Sequence, residues 1–180
     1  MHISTPTGDV CLTELRVGNR VITRDHGVQT VNWVGRRDLS AAEIDREPHL
    51  GPVRISAGAL GQGLPMQDLL LSPHTRVLVK SDDTALYLED DALLVSAKNL
   101  IGLEGIDHAE NAAVTYVHIS FEQHEVVRAD GVWIERFQPA DPHVYGIREA
   151  QRAEMYALFP ELTETPAASV PIEQMAGSVG

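Results

Sequence analysis

The chain has 180 residues, 43% of them hydrophobic and 5% aromatic, which suits one globular domain with an ordinary core. Its formal net charge of −12, from 26 acidic and 14 basic residues, repels phosphate backbones and anionic lipid, so neither nucleic acid nor a membrane is an expected partner. The single cysteine, Cys11, excludes an intramolecular disulfide and a cysteine-based zinc cluster, and no apolar run is long enough to span a membrane.

Met1 to Pro6 contain neither a basic stretch nor an apolar one, so no secretory signal peptide is expected there. From Asp9 to Arg37 the pattern predicts three short strands: Val10–Leu15, one from Arg20 to Thr23, and Val28–Val34. Turns at Val17-Gly18-Asn19 and Asp25-His26-Gly27 separate them. Arg36-Arg37 reads as a solvated strand end. Residues 38–52 read as a loop with a brief helical turn over Ala41 to Ile44, followed by a strand at Val53–Ser56. Ala57 to Pro65 carries three glycines in nine residues, but no lysine follows and no helix opens, so it is a loop and not a phosphate cradle.

Next come two apolar runs, Leu69–Leu71 and Val77–Val79, bracketing Ser72-Pro73-His74-Thr75. Pro73 cannot donate to a strand ladder, so a break is expected there, placing two hydroxyls and an imidazole at the ends of core strands. Ser81-Asp82-Asp83 reads as a turn, Ala85–Leu88 and Ala92–Val95 as short strands around the acidic bend Glu89-Asp90-Asp91. These acids lack the glycine and terminal glutamate of a calcium loop. Ala97 to Leu103 reads as a brief helical or irregular passage. Val114–Phe121 is a strong strand, and His124 to Phe137 is a hairpin turning at Asp130-Gly131. Pro139 to Pro142 ends the β pattern. Gly146–Phe159 is the one extended helix, with Ile147, Ala150, Glu154, Ala157 and Leu158 near one face and Pro160 closing it. The expectation is therefore an all-β domain with one C-terminal helix over residues 1–160, and a disordered tail over 161–180.

The polar groups available for chemistry are Ser72, His74, Thr75, His118, His124 and Cys11. His74, His118 and His124 could in principle form a three-histidine metal site, but no ligand spacing supports it, and no metal or cofactor is expected. A hydrolase triad has no Gly-x-Ser-x-Gly elbow to stand on, and Pro73 after Ser72 offers no amide for an oxyanion hole. Cys11 lies in a strand-like run, where it reads as a small buried apolar residue.

Four segments in order nevertheless resemble the Hedgehog/intein (Hint) domain, in its bacterial form: Ile3–Gly8 continuing into Thr13–Arg37, Val53–Pro65, Asp68–Lys80, and Tyr116–Phe137. The resemblance implies a compact β fold and an N-to-S acyl shift, in which a cysteine opening the domain attacks the preceding peptide bond. Such a step requires an activated thiol, a donor for the departing amide nitrogen and an oriented scissile bond.

Carried over position by position, Ser72 matches the hydroxyl of the family's Ser/Thr-x-x-His motif. Thr75 stands where the histidine belongs, and His74 comes one place early. His124 matches a family histidine in His-Glu-Val-Val, and His118 lies near a position where related inteins carry an acid. The catalytic set implied is thus Ser72, His74, Thr75, His118 and His124. Glu135-Arg136 replaces the His-Asn of splicing inteins, so full splicing is not expected. The family's cysteine falls a few residues before Met1, and Cys11 is too far downstream to replace it.

The resemblance implies a self-processing domain, inactive as the 180 residues stand, whose partners are flanking segments of its own precursor and which is expected to be monomeric. Parents of such domains are often secreted. The alternative is a Hint fold kept as a structural or interaction module; a third reading is an unrelated metal- or ligand-binding β domain. His74 or Thr75 is expected to face the first residues of the chain, beside His118 or His124.

Overall fold

The computed structural model describes residues 1–80, 92–110, 113–138 and 148–164. A hairpin of β1 (His2–Thr5) and β2 (Gly8–Cys11) opens the chain. A second hairpin, β3 (Arg20–Ile22) and β4 (Val28–Thr30), turns where Asp25-His26-Gly27 predicts. Strand β5 (Trp33–Leu39) is longer than its sequence pattern suggests and runs through Arg36-Arg37, whose side chains stay exposed. It is held by seven-residue pairing with β11 (Val114–Ser120), so the partner strand rather than the local pattern sets its length.

Helix α1 (Ala41–Arg46) is longer than a single turn because Ser40 and Glu43 form a reciprocal capping box, satisfying amides that would otherwise be orphaned. Strands β6 (Val53–Ile55) and β7 (Leu69–Leu71) pair with each other, and β10 (Ile106–His108) adds to the other edge of β6. Only three residues long, two of them polar, β10 has no periodic signal, and the sequence reading passes over it. The four-residue, mostly polar β1 is passed over likewise.

The main sheet has six strands in the order β2-β1-β12-β13-β8-β9, where β8 is Arg76–Lys80, β9 is Ala92–Ser96, β12 is Glu125–Ala129 and β13 is Val132–Arg136. The β12–β13 hairpin turns on Asp130-Gly131, with φ of 45° and 86°. Positive φ at both central residues is what the tight hairpin turn requires, and Asp-Gly tolerates it. Expectations for Ser81–Asp83, Ala85–Leu88, Glu89–Asp91 and Pro139–Pro142 lie outside the described residues.

Helix α2 (Glu149–Leu158) buries Glu154, Met155 and Leu158. The non-helical tail expected from Glu161 is corrected at its start: Glu161–Glu164 forms a short helix, α3, and Leu162 packs on the second core. The amide of Leu162 donates to the Phe159 carbonyl, so docking of α2 carries helical geometry past Pro160.

Two apolar clusters result. The larger, centred on Ile3, Val21, Ile55, Leu69, Ile119 and Ile134, lies within the sheets. The smaller joins Leu39, Ile44, Leu50, Tyr116, Phe137, Met155, Leu158 and Phe159, and fixes α2 over β5 and β11. Its aromatic contact is Trp33 edge-on to Phe159 at 5.6 Å, with His118 at 6.3 Å from Trp33. Gly35 makes this contact possible: a Cβ there would come within 2.8 Å of Phe159 and collide with the Trp33 ring. Gly35→Ala is therefore expected to destabilise the fold by about 1–3 kcal/mol through overpacking. Urea unfolding would show a lower midpoint, and an unchanged midpoint would contradict this packing.

Candidate functional site

The break at Ser72 to Thr75 is a locked turn. The Thr75 amide donates to the Ser72 carbonyl at 3.0 Å, and the Ser72 and Thr75 hydroxyls share a hydrogen bond of 2.7 Å. Amides of Ala97 and Lys98 donate to the carbonyls of Thr75 and Pro73, so the turn is clamped against the 3₁₀ turn after β9. Ser72 and Thr75 thereby line a cavity of about 300 Å³ that also borders Met1, Cys11, His118 and Arg136.

His74 goes the other way. Its backbone N–H donates to Glu154 of α2 at 3.0 Å, and its Nδ1 donates to the same carboxylate at 2.7 Å. The expectation that His74 or Thr75 faces the first residues of the chain thus divides: Thr75 lines the cavity with Met1, whereas His74 is turned onto the C-terminal helix. The partners decide the split: the Ser72 hydroxyl holds Thr75 on the cavity side, while the Glu154 carboxylate holds His74 onto α2. The sequence pattern puts Glu154 near the apolar face of its helix, and an acid on such a face is the signal that it needs a buried partner.

His118 sits at the centre of β11, opposite Gly35. Its Nε2 lies 2.9 Å from the Phe137 carbonyl. A carbonyl only accepts, so Nε2 carries the proton and Nδ1 is the basic nitrogen. Complete burial, assisted by the neighbouring Arg136 charge, pulls the imidazole pKa down to about 3. At neutral pH His118 is therefore uncharged, able to accept a hydrogen bond at Nδ1 but a weak base, because burial disfavours its protonated form.

His124 stands beyond the other end of that strand and belongs to a different cluster. Its Nε2 donates to Glu135 at 3.0 Å, and its Nδ1 is buried without a hydrogen-bond partner among the described residues. Glu135 also accepts from Arg148, from Arg76 at 3.3 Å and from Gln151 at 2.7 Å. Burial would raise the pKa of Glu135, but the bonds from His124 and Gln151 and the Arg148 charge outweigh it and hold the pKa below the usual value. The next residue, Arg136, has the opposite balance. Its guanidinium is buried with Nε unpartnered among the described residues, and one terminal nitrogen reaches only the Met1 thioether at 3.5 Å. Burial alone lowers its pKa to about 10.

Cys11 pairs across the ladder with His2, and its thiol lies 3.1 Å from the Thr13 hydroxyl. That hydrogen bond lowers the thiol pKa. It is partly exposed at the cavity and not a core residue, which corrects the sequence expectation; strand β2 ends at Cys11 on the sheet edge.

The three histidines do not converge on one point: each has its own partner, in Glu154, the Phe137 carbonyl and Glu135. Among the described residues no group of three histidines, cysteines or acids is placed to hold a metal ion. No helix among them is long and apolar enough to cross a membrane.

Residues 1–141 match the family described as Hint domain. The chain belongs to the Hint domain family. No curated protein matches it. Among solved structures it is similar to the MchDnaB-1 intein, with 9% identity and a TM-score of 0.43 over 74% of this chain and 94% of that one. It is also similar to the gp41-1 intein, at 11% identity and TM-score 0.39 over 76% and 93% of the two chains. A splice-inactive variant of the AceL NrdHF class 3 split intein is a third, at 8% identity and 0.42 over 76% and 94%.

Within this Hint domain, Ser72, Thr75 and His118 share the cavity, while His74 and His124 are engaged elsewhere. Sequence reasoning missed Arg136 and Glu154 as site residues. Arg136 was visible only as a departure from the family pattern.

The neutral, buried His118 has a consequence for stability. Its folded pKa of about 3 lies below the unfolded value of 6.5. Unfolding then takes up a proton between those limits, so stability is full above pH 6.5 and falls as pH drops through the window. The expected loss is at most about 5 kcal/mol, by the 1.36 kcal/mol equivalent of one pKa unit. His118→Gln, which preserves an N–H donor, is expected to flatten this slope in urea unfolding at a series of pH values. An unchanged slope would mean that other groups carry it.

Proposed function

We propose that this chain is a Hint-type autoprocessing domain, and that the cavity bordered by Met1, Thr75 and His118 is where the scissile bond of a precursor lies. The observation that carries the reading is the position of this cavity: it opens beside Met1, between the Ser72–Thr75 turn and the uncharged imidazole of His118. In the reaction a thiol upstream of Met1 adds its sulfur to the carbonyl carbon of the preceding peptide bond. The C–N bond breaks, the nitrogen takes a proton, and the acyl group passes to sulfur as a thioester that water or a second thiol then cleaves. The neutral imidazole of His118 can accept a hydrogen bond from the thiol through Nδ1 and so orient it, and the Thr75 hydroxyl lines the same cavity, where it can assist the amide nitrogen.

Cys11 is a poor substitute for the upstream thiol. The bond before it, Val10–Cys11, lies within the β1–β2 ladder, where Val10 pairs with Ile3 and Cys11 with His2. An acyl shift there would have to break the strand. On this reading residues 1–180 do not process themselves, because their one thiol is in the wrong place.

A second reading, a Hint fold retained as a scaffold, is favoured by His74, whose ring and amide are both committed to Glu154. One experiment separates the two. A reporter joined to Met1 through a cysteine-containing upstream segment is expected to be released when dithiothreitol is added, as read by intact mass. Replacing the upstream cysteine with alanine should abolish release, whereas Cys11→Ser should not. A folded precursor that stays intact would overturn autoprocessing and leave the scaffold reading.

In the same precursor, Thr75→His would put an imidazole into the cavity at the family's histidine position. It is expected to raise the release rate by about a hundredfold, the lower end of what a positioned general acid contributes. An unchanged rate would place the proton donor elsewhere.

A further inference from the structure

The cavity beside Met1 contains a charge imbalance that the acyl shift does not explain. Arg136 is 6% exposed, lines the cavity, and has no carboxylate partner among the described residues. An unpaired buried cation is costly, and a guanidinium with its donors unmet more so. The acids that share the cavity wall are already committed. Glu135 accepts from Arg76, His124, Arg148 and Gln151; Glu154 accepts from His74; and Asp68 accepts from the Ala57 amide at 2.8 Å. Among the described residues the only acceptor on Arg136 is the Met1 sulfur, a weak one.

A cavity wall carrying one unanswered positive charge fits one negative charge. The planar guanidinium matches a carboxylate in two parallel hydrogen bonds. Ser72 and Thr75 line the same cavity, and the rest of the lining is largely aliphatic and aromatic, including Leu71, Met155 and Phe159. A phosphate monoester would bring nearly two charges to this single unpaired cation, whereas a monocarboxylate with a short apolar tail matches both charge and lining. The volume of about 300 Å³ is at the small end for ligand pockets, which limits the tail to a few carbons.

We propose that Arg136 is the anchor of a binding site for a monocarboxylate with a short apolar tail, entering the cavity beside Met1 and displacing the Met1 thioether from the guanidinium. The carboxylate could come from a free small acid or from the α-carboxylate that ends a peptide; the chemistry recognised is the same. The site does not depend on the acyl shift, since it is formed by residues 1–180 without any upstream thiol.

The test uses that chain, titrated calorimetrically with sodium butyrate and separately with butyramide, an isosteric neutral amide. Butyrate is expected to bind saturably and at least about tenfold more tightly than butyramide, as a charge-assisted bidentate pair requires. The methyl carbon signal of Met1 should shift with butyrate and not with the amide. Arg136→Met should remove the preference for butyrate and, without ligand, melt at the same temperature or higher, because an unpaired buried charge has been replaced by an apolar side chain. Equal binding of acid and amide, or binding of neither, would overturn the proposal, and this comparison stands even if the variant does not fold. An acetylated leucine peptide with a free C-terminus, set against its C-terminal amide, distinguishes the two sources. A preference for the free peptide over butyrate assigns the site to chain ends, and the reverse assigns it to small acids.

Discussion

The Glu135 carboxylate is the interaction on which the rest of this structure leans. It lies in the last β13 positions and accepts from Arg76 of β8, from Arg148 and Gln151 at the start of α2, and from His124 just before β12. One buried anion therefore ties three separate parts of the chain to the central hairpin. Such a group is stabilising only when every lone pair is met, and here both oxygens are. With α2 fixed at its start by Glu135, Glu154 on a later turn can reach back to the Ser72–Thr75 turn through His74, and Phe159 can meet Trp33. The cavity is the space left between these fixed points.

Adjacent residues of one strand face opposite sides, and Glu135 and Arg136 show what that means for charge. On one side an acid has more partners than it needs. On the other a base has almost none. The contrast arises within two residues, so overall composition, strongly acidic as it is, says nothing about it. Local sign is set by the pleat and by which elements cover each face.

Where the sequence carries its own geometry, it was legible. Asp130-Gly131 announces a hairpin because few other pairs tolerate its dihedrals, and the Leu69–Leu71 and Val77–Val79 runs around Pro73 announce two strands and a break. Ordered family segments identified the fold and located the Ser72–Thr75 turn. What was not legible depends on partners distant in sequence. Strand β1 is too short and polar to show a period and exists because β2 and β12 flank it. The length of β5 comes from β11. The commitment of His74 to Glu154 spans eighty residues, and only the oddity of an acid on an apolar helix face hinted at it. The isolation of Arg136 could not be read at all, since it is a matter of who fails to arrive.

The placement of β1 also bears on timing. This strand sits between β2 and β12, with Ile3 opposite Ala129, so β1 cannot complete its pairing until β12, far later in the sequence, has been made. Pairings this distant in sequence form late and slowly. Until the β12–β13 hairpin has emerged, the wall bearing Arg136 and the Phe137 carbonyl that orients His118 do not exist. During synthesis the nascent chain therefore carries an unfinished cavity until that hairpin has been translated.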